Sequence, residues 1–183
     1  SAASDVYKRQ ESILREKFGN DIVSHYTYCL HGDGDIQEPV AQGAVAIAGH
    51  FGLGKLIMYY DANDAQISGK VSRSDSTDYA MMYKSHGWHV QVINGHNHDE
   101  IRNAIRIAQM EVEKPSVIIG ETIMAYGTAN VEGDHNTHGA PLSHEEIRLT
   151  KEKLGLDPDK LFQISDQVLD DCLLYTSPSP RDS

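Results

Sequence analysis

The chain of 183 residues has only two cysteines, Cys29 and Cys172, and they form no CxxC pair. A disulfide framework is not expected, and a reducing, cytoplasmic compartment is the default. No apolar run approaches the roughly 20 residues that a membrane-spanning helix needs. Ser1–Gln10 likewise has no apolar segment of the secretory kind. No basic cluster offsets a formal charge of −11. A surface that acidic repels phosphate backbones, so nucleic acid is not the expected partner. A single anionic ligand can still bind where local amides and a cation overrule the global field. The composition itself, 39% hydrophobic and 23% charged residues, suits one domain with a globular core.

The two ends differ from the middle. Asp5-Val-Tyr-Lys-Arg-Gln10 and Cys172-Leu-Leu-Tyr-Thr-Ser-Pro-Ser-Pro-Arg-Asp-Ser183 resemble translated sequencing-adapter tails. An ordinary disordered terminus rich in Ser and Pro is the alternative. Residues 1–10 and 172–183 are therefore set aside as non-native, and 11–171 is read as part of one domain.

Within that stretch, strands and helices alternate. Tyr26–Leu30 is short, β-branched and aromatic, and reads as a buried strand with Cys29 inside it. Pro39–His50 is an alanine-rich helix with proline in its first turn. Lys55–Asp61 is a second strand, and a polar loop follows to Asp75. Thr77–His86 reads as a helix capped by Ser76 or Ser74. Trp88–Ile93 is a third strand, with Trp88 in the core. Asp99–Glu113 carries a helical stripe of Ile101, Ala104, Ile105 and Ala108. Pro115–Thr122 is a fourth strand, and a glycine-rich loop runs on to Leu142. Ser143-His-Glu-Glu146 has the form of a capping box that opens a last helix to about Lys153. Four alternations predict an α/β fold, a parallel sheet with helices on both faces. Such sheets bind ligands at the carboxyl ends of their strands, where the polar loops converge.

The first strand runs straight into Gly32-Asp33-Gly34, and 28 residues separate Gly34 from Asn63, which follows the second strand. Glycine lets backbone approach a ligand closely, and a following helix offers free amides to a phosphate. A diphosphate carries more charge than amides can neutralise, so a divalent cation is expected. Asp33 offers a carboxylate oxygen, Asn63 an amide oxygen, and a carbonyl just past Asn63 a third. A bare Gly-Asp-Gly is weak, because such turns occur in many loops. The same turn at one strand end, with Asn at this distance at the next, is much more specific.

Nearly all of residues 11–169 resembles the thiamine diphosphate domain of the transketolase family. The likeness rests on Gly32-Asp-Gly-Asp-Ile-Gln-Glu38, Leu53-Gly-Lys-Leu-Ile57, Asp61-Ala-Asn63, Gly87-Trp-His-Val90, Lys114-Pro-Ser116 and Gly133-Asp-His-Asn-Thr-His-Gly-Ala-Pro-Leu142. The last block separates transketolases from other thiamine enzymes with the Gly-Asp-Gly…Asn pattern. The resemblance implies thiamine diphosphate as cofactor, with Gly32 and Gly34 at the diphosphate. It implies Mg²⁺ or Ca²⁺ held by Asp33, Asn63 and the carbonyl of Ala65. His138 then stands between diphosphate and sugar, and Glu38 lies near a dimer interface and relays protons. The implied activity belongs to the pentose phosphate pathway: transfer of a two-carbon ketol unit between sugar phosphates, by a homodimer. In the family, the glutamate that activates the cofactor comes from a second domain of the partner subunit. That domain and the upstream histidines are not in this chain, so the chain alone is expected to be inactive.

Blander readings stand beside these. Asp33 can simply cap the next turn, and Asn63 can be a left-handed turn residue. His135 and His138 are three apart, but no cysteine or third histidine sits nearby at a zinc spacing. His31, His50, His89 and His96 read as packing histidines, and Lys70 and Arg73 as a solvated loop. Two other functions compete: a stand-alone or split-chain cofactor-binding module that needs a partner chain, and a structural fold with no ligand.

Overall fold

A computed structural model describes residues 2–66 and 69–176 of the chain. Its elements are α1 (Ala2–Phe18), β1 (Thr27–Gly32), α2 (Asp33–Gln37), α3 (Pro39–His50), β2 (Leu56–Ala62), α4 (Tyr79–Ser85), β3 (His89–Asn94), α5 (His98–Met110), β4 (Ser116–Glu121), α6 (His144–Lys153) and α7 (Asp166–Thr176). Short 3-10 turns lie at Val71–Arg73 and His135–Thr137. Helix α1 covers residues 2–10 and α7 covers 172–176, both within the stretches set aside above; residues 177–183 lie outside the described residues. Among the described residues, no helix is long and apolar enough to cross a membrane.

The four strands form one parallel sheet in the order β1-β2-β4-β3. Side chains alternate across a strand, and this divides β2 and β4 between two cores. Leu56, Met58, Tyr60, Val117 and Ile119 face the side of α2, α3 and α4, where Ile36, Val45, Ala48, Tyr79, Tyr83 and Trp88 complete the larger cluster. Ile57 and Ile118 face α5, packing on Ala104 and Ala108. Helices on both faces of a parallel sheet are the predicted architecture.

Local details differ from the sequence reading. Strand β1 lies at the sheet edge, so Tyr28 and Leu30 are 53% and 80% exposed and Cys29 is only half-buried. The chain coils into the short helix α2 directly after Gly32, which the sequence did not suggest. It breaks at Glu38, because Pro39 disfavours helical backbone in the residue before it. Helix α4 starts at Tyr79 with Asp78 as its cap, accepting from the Met81 amide at 2.8 Å. The segment before it is committed to a turn in which Asp75 accepts from the amide and hydroxyl of Thr77. Helix α5 begins at His98, capped by Asn97, and stops at Met110. There the Glu111 carboxylate accepts the amides of Glu113 and Lys114 and turns the chain away.

The sheet, its helices and Glu132–Ala140 form one compact unit; Gly127–Val131 and the chain from Pro141 onward form a second. In the second, Ser143 caps α6 as predicted. Glu146 does not close a capping box; its carboxylate accepts from the backbone and side-chain amides of Asn130 at 2.8 and 2.9 Å.

Helix α3 contains two glycines in opposite situations. A methyl at Gly49 would stand 1.8 Å from the His86 carbonyl oxygen, where α3 meets the turn into β3 and Trp88 donates to the Val45 carbonyl at 2.9 Å. A methyl at Gly43 would meet nothing within 4 Å. Gly43→Ala is expected to stabilise the chain by about 0.5–1 kcal/mol through helix propensity. Gly49→Ala is expected to destabilise it by about 1–3 kcal/mol, because overpacking outweighs that gain. Denaturation midpoints moving in opposite directions are the check; a stabilised Gly49→Ala protein contradicts the close approach.

Candidate functional site

Gly32, Asp61 and Gly120 pair across the sheet in register. Neighbouring strands lie about 4.8 Å apart, so the residues that follow them, Asp33, Asn63 and Thr122, emerge side by side at the carboxyl edge.

Asp33 opens α2 yet is only 5% exposed. Its Oδ1 accepts from the Tyr60 hydroxyl at 2.5 Å, and its Oδ2 accepts from the Asn63 amide at 3.2 Å. Burial raises the Asp33 carboxyl above its ordinary range; the Tyr60 hydroxyl and the amides of Ala65 and Asn63 oppose that rise, and the nearby Asp61 charge adds to it. Burial and the bond to Asp33 push the Tyr60 phenol far up, so it acts as a neutral donor. The Tyr60 ring stacks on His31 with centroids 4.8 Å apart and meets Tyr79 edge-on. His31 also shares a 3.0 Å hydrogen bond between its Nε2 and the Tyr83 hydroxyl. It therefore packs behind the carboxylate.

Asn63 follows β2 in a tight side-chain turn. Its Oδ1 accepts from the Ala65 amide at 3.0 Å, and its Nδ2 donates to Asp61 at 2.9 Å. The left-handed residue of this turn is Asp64, with φ 54°, and not Asn63. His138 closes the 3-10 turn His135–Thr137, which Asp134 caps by accepting from the Asn136 amide.

A cavity of about 890 Å³ collects all seven site residues expected from the sequence: Gly32, Asp33, Gly34, Glu38, Asn63, Ala65 and His138. Asp35, Gln37, Gln66 and Ser74 complete its lining. Gln37 donates to Gln66, which donates to Ser74, so the loop after β2 is tied to α2. The lining thus holds three acidic side chains and no lysine or arginine. His135 and Lys70 belong to a smaller neighbouring cavity of about 140 Å³. Among the described residues, no three of His, Cys, Asp and Glu cluster so as to hold a metal ion by themselves. The oxygen donors present are those hard cations prefer, and the Tyr60 hydroxyl with the amides of Asn63 and Ala65 leaves Asp33 part of its roughly four acceptor positions.

Sequence reasoning missed Tyr60, Asp61 and Thr122. Tyr60 lies within the predicted second strand, and the alternation of β2 places it on the face shared with Met58 and hence beneath Asp33. Asp61 stands in the Asp61-Ala-Asn63 block but was given no role, and Thr122 carries no signal except its place at the end of the adjacent strand.

Replacing Tyr60 with Phe removes a donor that lowers the Asp33 carboxyl, so the Asp33 pKa is expected to rise further. The folded-state value lies above the unfolded one, so the Asp33 contribution to stability is intact at low pH and is lost as pH rises through the folded value. Tyr60→Phe should therefore cost about 1–3 kcal/mol at neutral pH, and the gap should shrink in acid. Carboxyl NMR titration and denaturation at several pH values measure both; an unmoved or lowered Asp33 pKa contradicts the assignment.

The family model described as the thiamine diphosphate binding domain of transketolase matches residues 3–176. The chain is 42% identical over 162 residues to the transketolase of Staphylococcus epidermidis, covering 86% of this chain and 24% of that protein. Among solved structures it resembles a transketolase from Campylobacter jejuni, with a TM-score of 0.86 and 36% identity, over 89% of this chain and 26% of that one. It also resembles a Pichia stipitis transketolase in complex with sedoheptulose 7-phosphate, with a TM-score of 0.77 and 33% identity, over 81% and 22% of the two chains. The chain spans about a quarter of the length of these relatives. The parallel sheet, the glycine turn at the end of β1 and the match along nearly the whole chain agree, and the chain belongs to the transketolase family, in its thiamine diphosphate-binding domain.

Proposed function

We propose that this chain forms the cation- and diphosphate-holding wall of a transketolase site. The observation that carries the reading is the buried Asp33 carboxylate at the Gly32–Gly34 turn, beside Asn63, in a cavity lined by no lysine or arginine. Acidic walls alone repel a diphosphate, and a divalent cation reverses that. Asp33 and Asn63 supply side-chain oxygens to Mg²⁺ or Ca²⁺, and the Ala65 carbonyl is the third protein donor. Gly32 and Gly34 leave the backbone open to the diphosphate. Their lack of side chains supports this, since nothing lies within 4 Å of a methyl built on Gly34.

Thiamine diphosphate, when bound, supplies the electron sink for moving a two-carbon ketol unit from a ketose phosphate to an aldose phosphate. In that setting His138, exposed on the same cavity, orients the sugar between itself and the diphosphate. Glu38, exposed at the junction of α2 and α3, passes protons towards a second subunit of a homodimer. The sedoheptulose 7-phosphate complex of the Pichia stipitis relative supports a sugar phosphate as substrate. A reducing, cytoplasmic setting in the pentose phosphate pathway fits the two free cysteines.

The chain covers about a quarter of its relatives' length, which supports the expectation that it lacks groups needed for positioning and proton transfer. Asp33→Ala should weaken Mg²⁺-dependent thiamine diphosphate binding by at least about 100-fold, since it removes the charged ligand. Calorimetric titration of the cofactor with and without Mg²⁺ measures this; unchanged binding would leave the fold without its ligand. The 183-residue chain alone should show no ketol transfer from a ketose phosphate, and measurable turnover would overturn that expectation.

A further inference from the structure

An asparagine ligand can face a cation in two ways, and only one of them works. Its oxygen can coordinate, whereas its NH₂ group presents two positive hydrogens. Something must hold the amide with its oxygen inward. We propose that Asp61 is this positioning residue, acting through Asn63 on the cation; the inference rests on the site reading given above.

Asp61 ends β2 in register with Gly120 of β4. One carboxylate oxygen accepts from Asn63 Nδ2 at 2.9 Å, and the other accepts from the Thr122 hydroxyl just past β4. Thr122 is itself fixed by its amide, which donates to the Ala62 carbonyl at 3.2 Å. The carboxylate is therefore anchored between two central strands before it touches Asn63. Held by Nδ2, the Asn63 amide has its oxygen on the other side, where it accepts from the Ala65 amide at 3.0 Å. That bond uses one of the two lone pairs of the oxygen, and the second remains for a cation.

Asp61 is not placed to be a ligand: neither it nor Thr122 lines the 890 Å³ cavity that holds Asp33 and Asn63. Partners of this kind, one bond removed from a metal, typically change affinity by about 10–100-fold when lost.

The test is Mn²⁺ uptake by the full chain with saturating thiamine diphosphate, followed by electron paramagnetic resonance. Asp61→Leu, which removes the acceptor, should weaken Mn²⁺ binding by about 10–100-fold. Asp61→Asn keeps an acceptor for Asn63 and a group that can bond to Thr122, so it should restore most of the affinity although the charge is gone. Thr122→Val, a milder change that leaves the fold intact if Asp61→Leu does not, should give a partial loss. The Asn63 side-chain amide resonances, read without any metal, should shift in Asp61→Leu and stay near the parent position in Asp61→Asn. Asn63→Ala is the control for the site itself. If Asn63→Ala loses Mn²⁺ and Asp61→Leu does not, the positioning role alone is wrong. If Asp61→Asn binds as poorly as Asp61→Leu, the charge of Asp61 matters and not its hold on the amide, and the proposal is overturned. If Asn63→Ala binds like the parent, or the parent takes up no Mn²⁺, the site reading fails and the proposal falls with it.

Discussion

An ionised carboxylate taken out of water costs several kcal/mol unless charge and hydrogen bonds come back to it. Asp33 is in that position, and the groups around it are arranged as a partial answer. The Tyr60 hydroxyl and the Asn63 backbone amide return two hydrogen bonds, and His31, stacked on Tyr60, and Tyr79, edge-on to it, pack around that ring. No lysine or arginine in the cavity lining completes the neutralisation, and Asp61 works against it. A carboxylate left under-compensated in this way is the feature on which the proposed cation site rests.

The fold makes this possible through register. Parallel strands end together, so residues far apart in sequence leave the sheet side by side. Gly32, Asp61 and Gly120 share one level. The turn after β1 and the loop after β2 thus reach one cavity without long excursions. The alternation of β2 then serves two purposes. Leu56, Met58 and Tyr60 fill the core beneath α2 to α4, and Tyr60 carries a hydroxyl up to Asp33. Packing and site chemistry use the same strand face, so a change at Tyr60 disturbs both.

Orientation adds a further layer. Asn63 Nδ2 donates to one oxygen of Asp61 and the Thr122 hydroxyl to the other, an arrangement that in the proposed site leaves the amide oxygen for the cation. These residues belong to β2 and to the end of β4, which pair directly in the middle of the sheet. The middle of the sheet therefore holds a side-chain amide that could otherwise turn either way.

The order of strands and helices was legible in the sequence, because the apolar periodicities of Leu56–Ala62, Ser116–Glu121 and α5 directly reflect burial. So was the content of the cavity, since Gly32–Gly34, Asn63 and His138 all lie in the blocks that resemble the transketolase family. The start of α4 was not, because the choice between Ser74, Ser76 and Asp78 as cap depends on Asp75 having spent its carboxylate on Thr77. The exposure of Tyr28 and Leu30 was also hidden, because an edge strand and a central one can have the same composition. Chain-local information determined which residues are candidates for the proposed site: side-chain chemistry and turn preference reside in a few neighbouring residues. Only the tertiary structure decided that Asp33 is buried, that Tyr60 donates to it, and that Thr122 and Asn63 donate to the two oxygens of Asp61. Those facts depend on strand pairing between residues 27 to 61 positions apart, and no local periodicity encodes a partner at that distance.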